Sequence, residues 1–235
     1  MTVRFLLPAV LAVSLFAGTY KARIEPYDAA TISAEAAGRI VRLDPRDEMQ
    51  VQNKVVIEID HALDDIRLKN LRAKLKLLQE QIVLKQSQYD SIKKLKSQNR
   101  FTKDQYKTQL LGLKMQADDL RSAIAQLEDT INKKRFAVHG KYIKRFFVRR
   151  GEYVAPGVKL MRLEDHSGGR IVLYVDAKDR ASLDDANITV EGSDGWHVEK
   201  AATTTDETYL SYYRVELVKK GDVSYGKVVT VRIER

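Results

Sequence analysis

The chain has 235 residues, enough for one or two compact domains, and its 44% hydrophobic and 31% charged residues are an ordinary balance for a folded domain in water. It contains no cysteine, which excludes disulfides, thiolate metal sites, cysteine nucleophiles and a lipid-anchoring cysteine. The formal net charge of +9 would suit nucleic acid or another acidic surface, so the arrangement of the charges has to decide between such partners.

The start of the chain has the pattern of an export signal. An apolar run from Phe5 to Ala17 follows the basic residue Arg4, and Gly18 opens a polar continuation. The run is shorter than the roughly 20 residues of a membrane-spanning helix, which favours a cleaved signal peptide, but a good Ala-x-Ala cleavage site is lacking around Ala17. We interpret residues 1–18 as a signal peptide or a short N-terminal anchor.

The middle of the chain predicts a hairpin of two long helices. Two series of mainly apolar residues recur at alternating spacings of three and four, which is typical of a coiled coil. The first series is Leu68, Leu71, Leu75, Leu78, Ile82, Lys85, Tyr89 and Ile92, and the second is Tyr106, Leu110, Leu113, Ala117, Leu120, Ile124, Leu127 and Ile131. We predict helices from about Ala62 to Gln98 and from Thr102 to about Lys134, with a capping box beginning at Thr102. Residues 61–136 would form an antiparallel coiled-coil hairpin.

Two short β-rich segments, residues 35–60 and 137–165, flank this hairpin and resemble each other. Laid over one another they match at Ile40 and Ile143, Leu43 and Phe146, Val51 and Val154, Val56 and Leu160, and Ile59 and Leu163. Gly151 and Gly157 indicate turns in the second copy, and Asn53, which tolerates left-handed φ, stands where that copy has Gly157. The two segments predict halves of one small β-domain.

The rest of the chain predicts a small antiparallel β-barrel. Residues 171–175, 213–217 and 229–233 each alternate apolar with other side chains, as half-buried strands do. We assign residues 166–235 to the barrel and residues 19–34 to one or more strands that join it. The predicted fold class is α+β and multidomain, with a split β-domain, a helical hairpin and a barrel.

This order of segments resembles the membrane fusion protein family, the periplasmic adaptors of HlyD and efflux-pump type. The most specific part is similar to a biotinyl-lipoyl half-motif, Gly-x-x-Val-x-x-Gly-x-x-Leu-x-x-Leu, which is met by Gly151, Val154, Gly157, Leu160 and Leu163. Biotin and lipoyl carriers present the modified lysine on a tight turn between the halves, whereas about eighty residues occupy that junction here. The resemblance therefore implies a lipoyl-like adaptor without a cofactor.

The resemblance also implies partners and a location. It predicts a protein of the periplasm, associated with the inner membrane through its N-terminus or its partners. It would bridge an inner-membrane transporter of ABC or RND type to an outer-membrane channel of TolC type, as a homo-oligomeric ring such as a hexamer. The hairpin tip would contact the channel, and in the family's tip motif Leu95 and Thr102 match while Ser91 replaces an arginine. The predicted partner-binding residues are Ser91, Lys94, Leu95, Arg100, Thr102 and Lys103.

Other classes of function fit the sequence less well. An enzyme is disfavoured because catalytic motifs are missing and the histidines, at positions 61, 139, 166 and 197, lack the spacing of metal ligands. The basic aromatic stretch Lys141–Arg150 would suit nucleic acid or lipid headgroups, but export argues against nucleic acid. A structural coiled-coil protein of the envelope stays open, although a simple spacer has no need to return the chain to the same β-domain.

Overall fold

The computed structural model describes residues 18–95 and 99–234, and its described part forms ten β-strands and three α-helices. The strands are β1 Gly18–Ser33, β2 Gly38–Arg42, β3 Val51–Ile59, β4 Arg135–Phe146, β5 Tyr153–Val154, β6 Lys159–Val175, β7 Asn187–Val190, β8 His197–Ala201, β9 Tyr213–Lys220 and β10 Val228–Glu234. The helices are α1 Ala62–Lys94, α2 Arg100–Asn132 and α3 Ala177–Ser182. The predicted signal peptide or anchor lies outside the described residues, apart from Gly18.

The chain divides into two compact units. The first, here called the hairpin unit, is residues 31–162, and the second, the sheet unit, combines residues up to Ala30 with residues 163–235. Strands β1 and β6 contribute residues to both units, because the boundary falls inside each of them.

In the hairpin unit, the segments on either side of the helices share one sheet. Its strands run in the order β5-β2-β3-β4-β6, and β3 pairs antiparallel with β4 from Val51 opposite Tyr142 to Glu58 opposite Arg135. The large apolar side chains of these strands are buried together, among them Ile40, Ile57, Ile59, Ile143 and Leu160. Burial of this kind stabilises the sheet by roughly 25 cal/mol per Å² of apolar surface removed from water.

Helices α1 and α2 follow each other closely and run antiparallel. Arg72 of α1 pairs with Glu128 of α2 at 2.6 Å, while Lys103 Nζ donates to the carbonyl oxygen of Lys93 at 3.4 Å near the other end. Each helix has 33 residues and is therefore about 50 Å long at 1.5 Å per residue. Leu78, Leu110, Ala117, Ile124 and Ile131 are buried between them.

The turn between the helices differs from the sequence prediction. Helix α1 ends at Lys94 instead of Gln98, and α2 begins at Arg100 instead of Thr102. The N-cap is Asn99, whose Oδ1 accepts a hydrogen bond from the Phe101 N–H at 3.2 Å. The predicted capping box at Thr102 is wrong, because asparagine caps at least as well as threonine and lies nearer the turn.

The sheet unit is a six-stranded antiparallel sheet in the order β8-β9-β6-β1-β10-β7. Its buried face forms one apolar core that includes Ile24, Leu173, Leu217, Val231 and Ile233. Strand β1 joins this sheet by pairing with β10, from Gly18 opposite Ile233 to Arg23 opposite Val228.

The sheet is not closed, so the predicted barrel is wrong in this respect. Among the described residues no hydrogen-bonded ladder joins β7 to β8. The connecting segment bends at Gly192 and Gly195, both of which have positive φ, and it places Trp196 in the core. An aromatic side chain therefore covers the core where a closed barrel would have a strand pair.

Candidate partner-binding site

The hairpin tip is built by the end of α1 and the start of α2. Leu95 stops α1 by adopting an extended backbone, and its N–H donates to the Ile92 carbonyl oxygen at 3.1 Å. Asn99 then begins α2 as its N-cap. The tip therefore has fixed helix ends on both sides, which position side chains more precisely than a long loop does.

The structure brings the predicted tip residues together at these two helix ends. Leu95 and Arg100 are exposed, and Arg100 lies 3.8 Å from Asp104 with its side chain almost fully in solvent. Thr102 and Lys103 are half-buried near the seam. Lys94, the last residue of α1, is also exposed at this end.

Ser91 occupies the place of the family's arginine and cannot replace its chemistry. It lies one turn before the end of α1, and its hydroxyl donates to the Ser87 carbonyl oxygen at 3.0 Å. Such a back-bonded serine presents no charge and spends its donor within its own helix. Ser91 therefore offers neither a charge nor a free donor at this end of the hairpin.

The tip is strongly basic. Five cations and two carboxylates lie on the described residues from 90 to 107: Lys93, Lys94, Arg100, Lys103 and Lys107, against Asp90 and Asp104. The adjacent Lys96 lies outside the described residues. A partner with an acidic surface would be attracted to this end of the hairpin.

Phe101 is a tip residue that sequence reasoning missed. Its side chain is 75% exposed, the second largest exposure among the large hydrophobic residues of the described chain. An aromatic side chain in this position has the area and rigidity of an interface anchor. The signal was present in the sequence, since Phe101 is a large apolar residue at the turn that belongs to neither heptad series.

The seam residues pack α1 against α2 between the root and the tip of the hairpin. Leu78 and Ile124 are buried, and the other predicted seam residues are half-buried: Leu71, Leu75, Ile82, Leu113, Leu120 and Leu127. Polar contacts cross beside them, with Lys114 Nζ 3.2 Å from Gln86 Oε1 and Lys85 above the Tyr106 ring at 5.1 Å.

The root of the hairpin is held by the contacts of Lys134. Lys134, which follows α2, lies 2.6 Å from the carboxylate of Asp64 in α1 and also donates to the Asp60 carbonyl oxygen at 3.0 Å. Both side chains of the Lys134–Asp64 pair are largely buried, so solvent screens this pair less than an exposed one. Lys134 therefore joins the end of α2 to the start of α1 and to the end of β3.

Two of the three predicted lipoyl-like turn residues adopt turn geometry. Gly151 and Gly157 have φ of 93° and 88°, a region that favours glycine. Asn53 is instead an extended residue of β3, so its predicted turn role is wrong. The non-glycine residue with left-handed φ in the first half is Met49, with φ 60°, four residues before Asn53. Asn53 uses its side-chain oxygen to accept from the Gly140 N–H at 2.7 Å.

Two further features of the described residues bear on other functions. Across 18–95 and 99–234, no three His, Asp or Glu side chains are grouped so that they would hold a metal ion. Within the same ranges, no helix combines the length and the apolar character needed to cross a membrane.

The chain matches known proteins by its structure and not by its sequence. Neither a model of a protein family nor a curated protein matches the sequence. The fold matches MacA from Actinobacillus actinomycetemcomitans, with a TM-score of 0.58 and 19% identity over 94% of this chain and 78% of that one. A MacA chimera carrying the α-hairpin domain of Pseudomonas aeruginosa MexA matches with a TM-score of 0.66 and 17% identity, over 94% and 81% of the two chains.

A third structure extends the match to nearly the whole of both chains. The membrane fusion protein Spr0693 from Streptococcus pneumoniae R6 aligns over 92% of this chain and 98% of its own, with a TM-score of 0.66 and 7% identity. Identities this low establish similarity of fold. The resemblance predicted from the sequence is therefore confirmed for the fold: the chain has the fold of the membrane fusion proteins.

Proposed function

We propose that this chain is a non-catalytic periplasmic adaptor of a tripartite efflux or type I secretion system. It would join an inner-membrane transporter of ABC or RND type to an outer-membrane channel of TolC type, as one subunit of a ring. The observation that carries the proposal is the helical hairpin between two halves of one β-sheet, in a fold shared with structures named as MacA and as a membrane fusion protein.

The geometry of the hairpin unit supports a bridging role. Helices of about 50 Å span a distance that a small globular domain cannot. Contacts at the root tie both helices to the sheet, and the far end presents Leu95, Arg100 and Phe101 to solvent. A basic, partly apolar tip suits a protein partner with an acidic rim around an apolar contact.

Cross-linking in the cell envelope tests the channel contact. Because the chain has no native cysteine, single cysteines at Leu95, Arg100 or Phe101 can each carry a cross-linker without competing thiols. We expect all three to capture an outer-membrane channel. Glu80→Cys, exposed in the middle of α1, is the matched control and should capture none. If the tip variants are exported and folded but trap no outer-membrane protein, the adaptor function is wrong.

Charge reversal at the tip tests the electrostatic part of the contact. The double variant Lys93→Glu/Arg100→Glu should lower the cross-linking yield roughly tenfold by removing attraction to an acidic partner. Lys69→Glu/Lys76→Glu makes the same change in net charge on an exposed part of α1 far from the tip, and should leave the yield unchanged. Equal losses in both variants would show that the tip charges have no special role.

A further inference from the structure

An exposed apolar turn lies between β8 and β9 of the sheet unit. Tyr209, Leu210 and Tyr212 are exposed by 50%, 76% and 43%. We call residues 206–212 the Tyr209 loop. Its backbone is closed by hydrogen bonds, since the Asp206 N–H donates to the Tyr212 carbonyl oxygen at 2.8 Å and Asp206 Oδ1 accepts from the Tyr209 N–H at 3.0 Å. An ordered turn therefore presents these apolar side chains to the surroundings.

The Tyr209 loop lies at the end of the sheet where the described chain begins. Strand β9 starts at Tyr213 opposite Val175, the last residue of β6. Helix α3 follows β6 and contacts both β1 and the segment after β8, because the Tyr20 hydroxyl donates to Asp179 at 2.7 Å and Arg180 Nε donates to the Ala202 carbonyl oxygen at 2.7 Å. The Tyr209 ring itself packs against Tyr174 of β6, with the ring centroids 4.5 Å apart. The start of β1 and the Tyr209 loop thus lie at the same end of the sheet unit, where β6 ends.

The sequence before β1 leaves little distance between this end and a membrane. The apolar run ends at Ala17 and β1 begins at Gly18, so no linker separates them. If the run stays in the bilayer as an anchor, the first residues of β1 lie at the level of the lipid headgroups. The Tyr209 loop would lie at the same level.

We propose that the Tyr209 loop inserts into the headgroup layer of the lipid bilayer. This inference rests on the proposed envelope function, with residues 1–17 kept as an anchor. Tyrosine suits this layer because its ring is apolar while its hydroxyl reaches water and headgroups, and Leu210 adds an apolar contact between the two tyrosines.

The charges nearby indicate how the contact is made. Asp184, Asp185 and Glu207 are exposed at this end together with the cations Lys178 and Arg214, so no basic patch is present among these residues to attract anionic lipids. The contact therefore depends on burying apolar and aromatic surface, in contrast to the attraction of a basic patch to anionic headgroups. It should form on zwitterionic vesicles and persist in high salt.

Fluorescence of the full-length protein on phosphatidylcholine vesicles tests the insertion. A Leu210→Cys variant carries an environment-sensitive fluorophore, and Asp222→Cys carries it in the exposed turn after β9, at the opposite end of the sheet. We expect the label at 210 to shift to shorter wavelength, to brighten about twofold and to be quenched by lipids with a nitroxide near the headgroup. The label at 222 should not respond.

Vesicle flotation separates this inference from the functional proposal. If the protein floats with the vesicles but the label at 210 reports water, the loop does not insert, while the anchor and the adaptor function stand. If the protein does not float, both the anchor and the insertion are overturned, and the cross-linking at the tip still decides the adaptor function. A response at 210 that high salt abolishes would also overturn insertion through apolar side chains.

Discussion

His61 connects the sheet to α1 at the root of the hairpin. Its Nε2 lies 2.8 Å from Glu58 of β3 and its Nδ1 lies 2.7 Å from Asp65 in the first turn of α1. Burial by itself would lower the pKa of His61, but the hydrogen bonds to Glu58 and Asp65 outweigh it, so the pKa is raised. The protonated ring donates to both carboxylates and joins the two elements.

The raised pKa of His61 predicts a pH-dependent stability. A group with a raised folded-state pKa stabilises the fold fully below its unfolded pKa of about 6.5, and this contribution is lost as pH rises through the folded-state pKa. We expect His61→Gln to lower the unfolding free energy by about 1 kcal/mol at pH ~5.5, where the ring is protonated and both carboxylates are still ionised, and by much less at alkaline pH. The effect is small because Asp65 is half-exposed. Urea unfolding across this range measures it. His197→Gln, in an exposed position, is the control, and a pH-independent loss at His61 would contradict the prediction.

At the scale of the element, α1 offers two neighbouring leucines with opposite environments. Leu78 is 8% exposed in the seam, while Leu77 is 62% exposed on the outside of the same turn. They share chemistry, helix and distance from the tip, so they isolate the effect of packing against α2.

This pair provides a test of the seam. Leu78→Asp should lower the unfolding free energy by at least about 3 kcal/mol, because it removes buried apolar contacts and places a charge between the helices. Leu77→Asp should change it by less than about 0.5 kcal/mol. Circular dichroism during thermal unfolding compares the two. Equal effects would mean that the seam does not stabilise the hairpin.

At the scale of the whole molecule, the periodicity of the sequence predicted the two helices better than it predicted which strands pair. Every residue of the two heptad series is buried or half-buried in α1 and α2, because burial in a helix pair repeats every 3.5 residues. Periodicity could not predict whether the sheet closes, because closure depends on whether β7 pairs with β8. Trp196, in the segment between these two strands, is part of the core instead.

The turn residues show a second limit of sequence reasoning. Asn53 has the propensity for left-handed φ but is extended in β3, where it pairs opposite His139. Met49, four residues earlier, has left-handed φ; its N–H donates to the Ile143 carbonyl oxygen at 2.8 Å, and the neighbouring Glu48 carboxylate accepts from the Phe146 N–H at 3.2 Å. Contacts with the second half, about ninety residues away, thus override propensity at the first. Phe101 was not predicted as a tip residue because the family's tip motif covers only the positions of Ser91, Leu95 and Thr102.

The pairing of β3 with β4 across the hairpin has a consequence for the order of folding. In an unstructured chain, bringing Val51 to Tyr142 closes a loop of about ninety residues, which costs roughly 4 kcal/mol of chain entropy from its length. An antiparallel helix pair starts and ends at nearly the same place, and its contacts form early because those near the turn are local. The hairpin would therefore act as a folding nucleus that removes most of this entropic barrier, and mutations that weaken it should slow assembly of the β-sheet far from their own position.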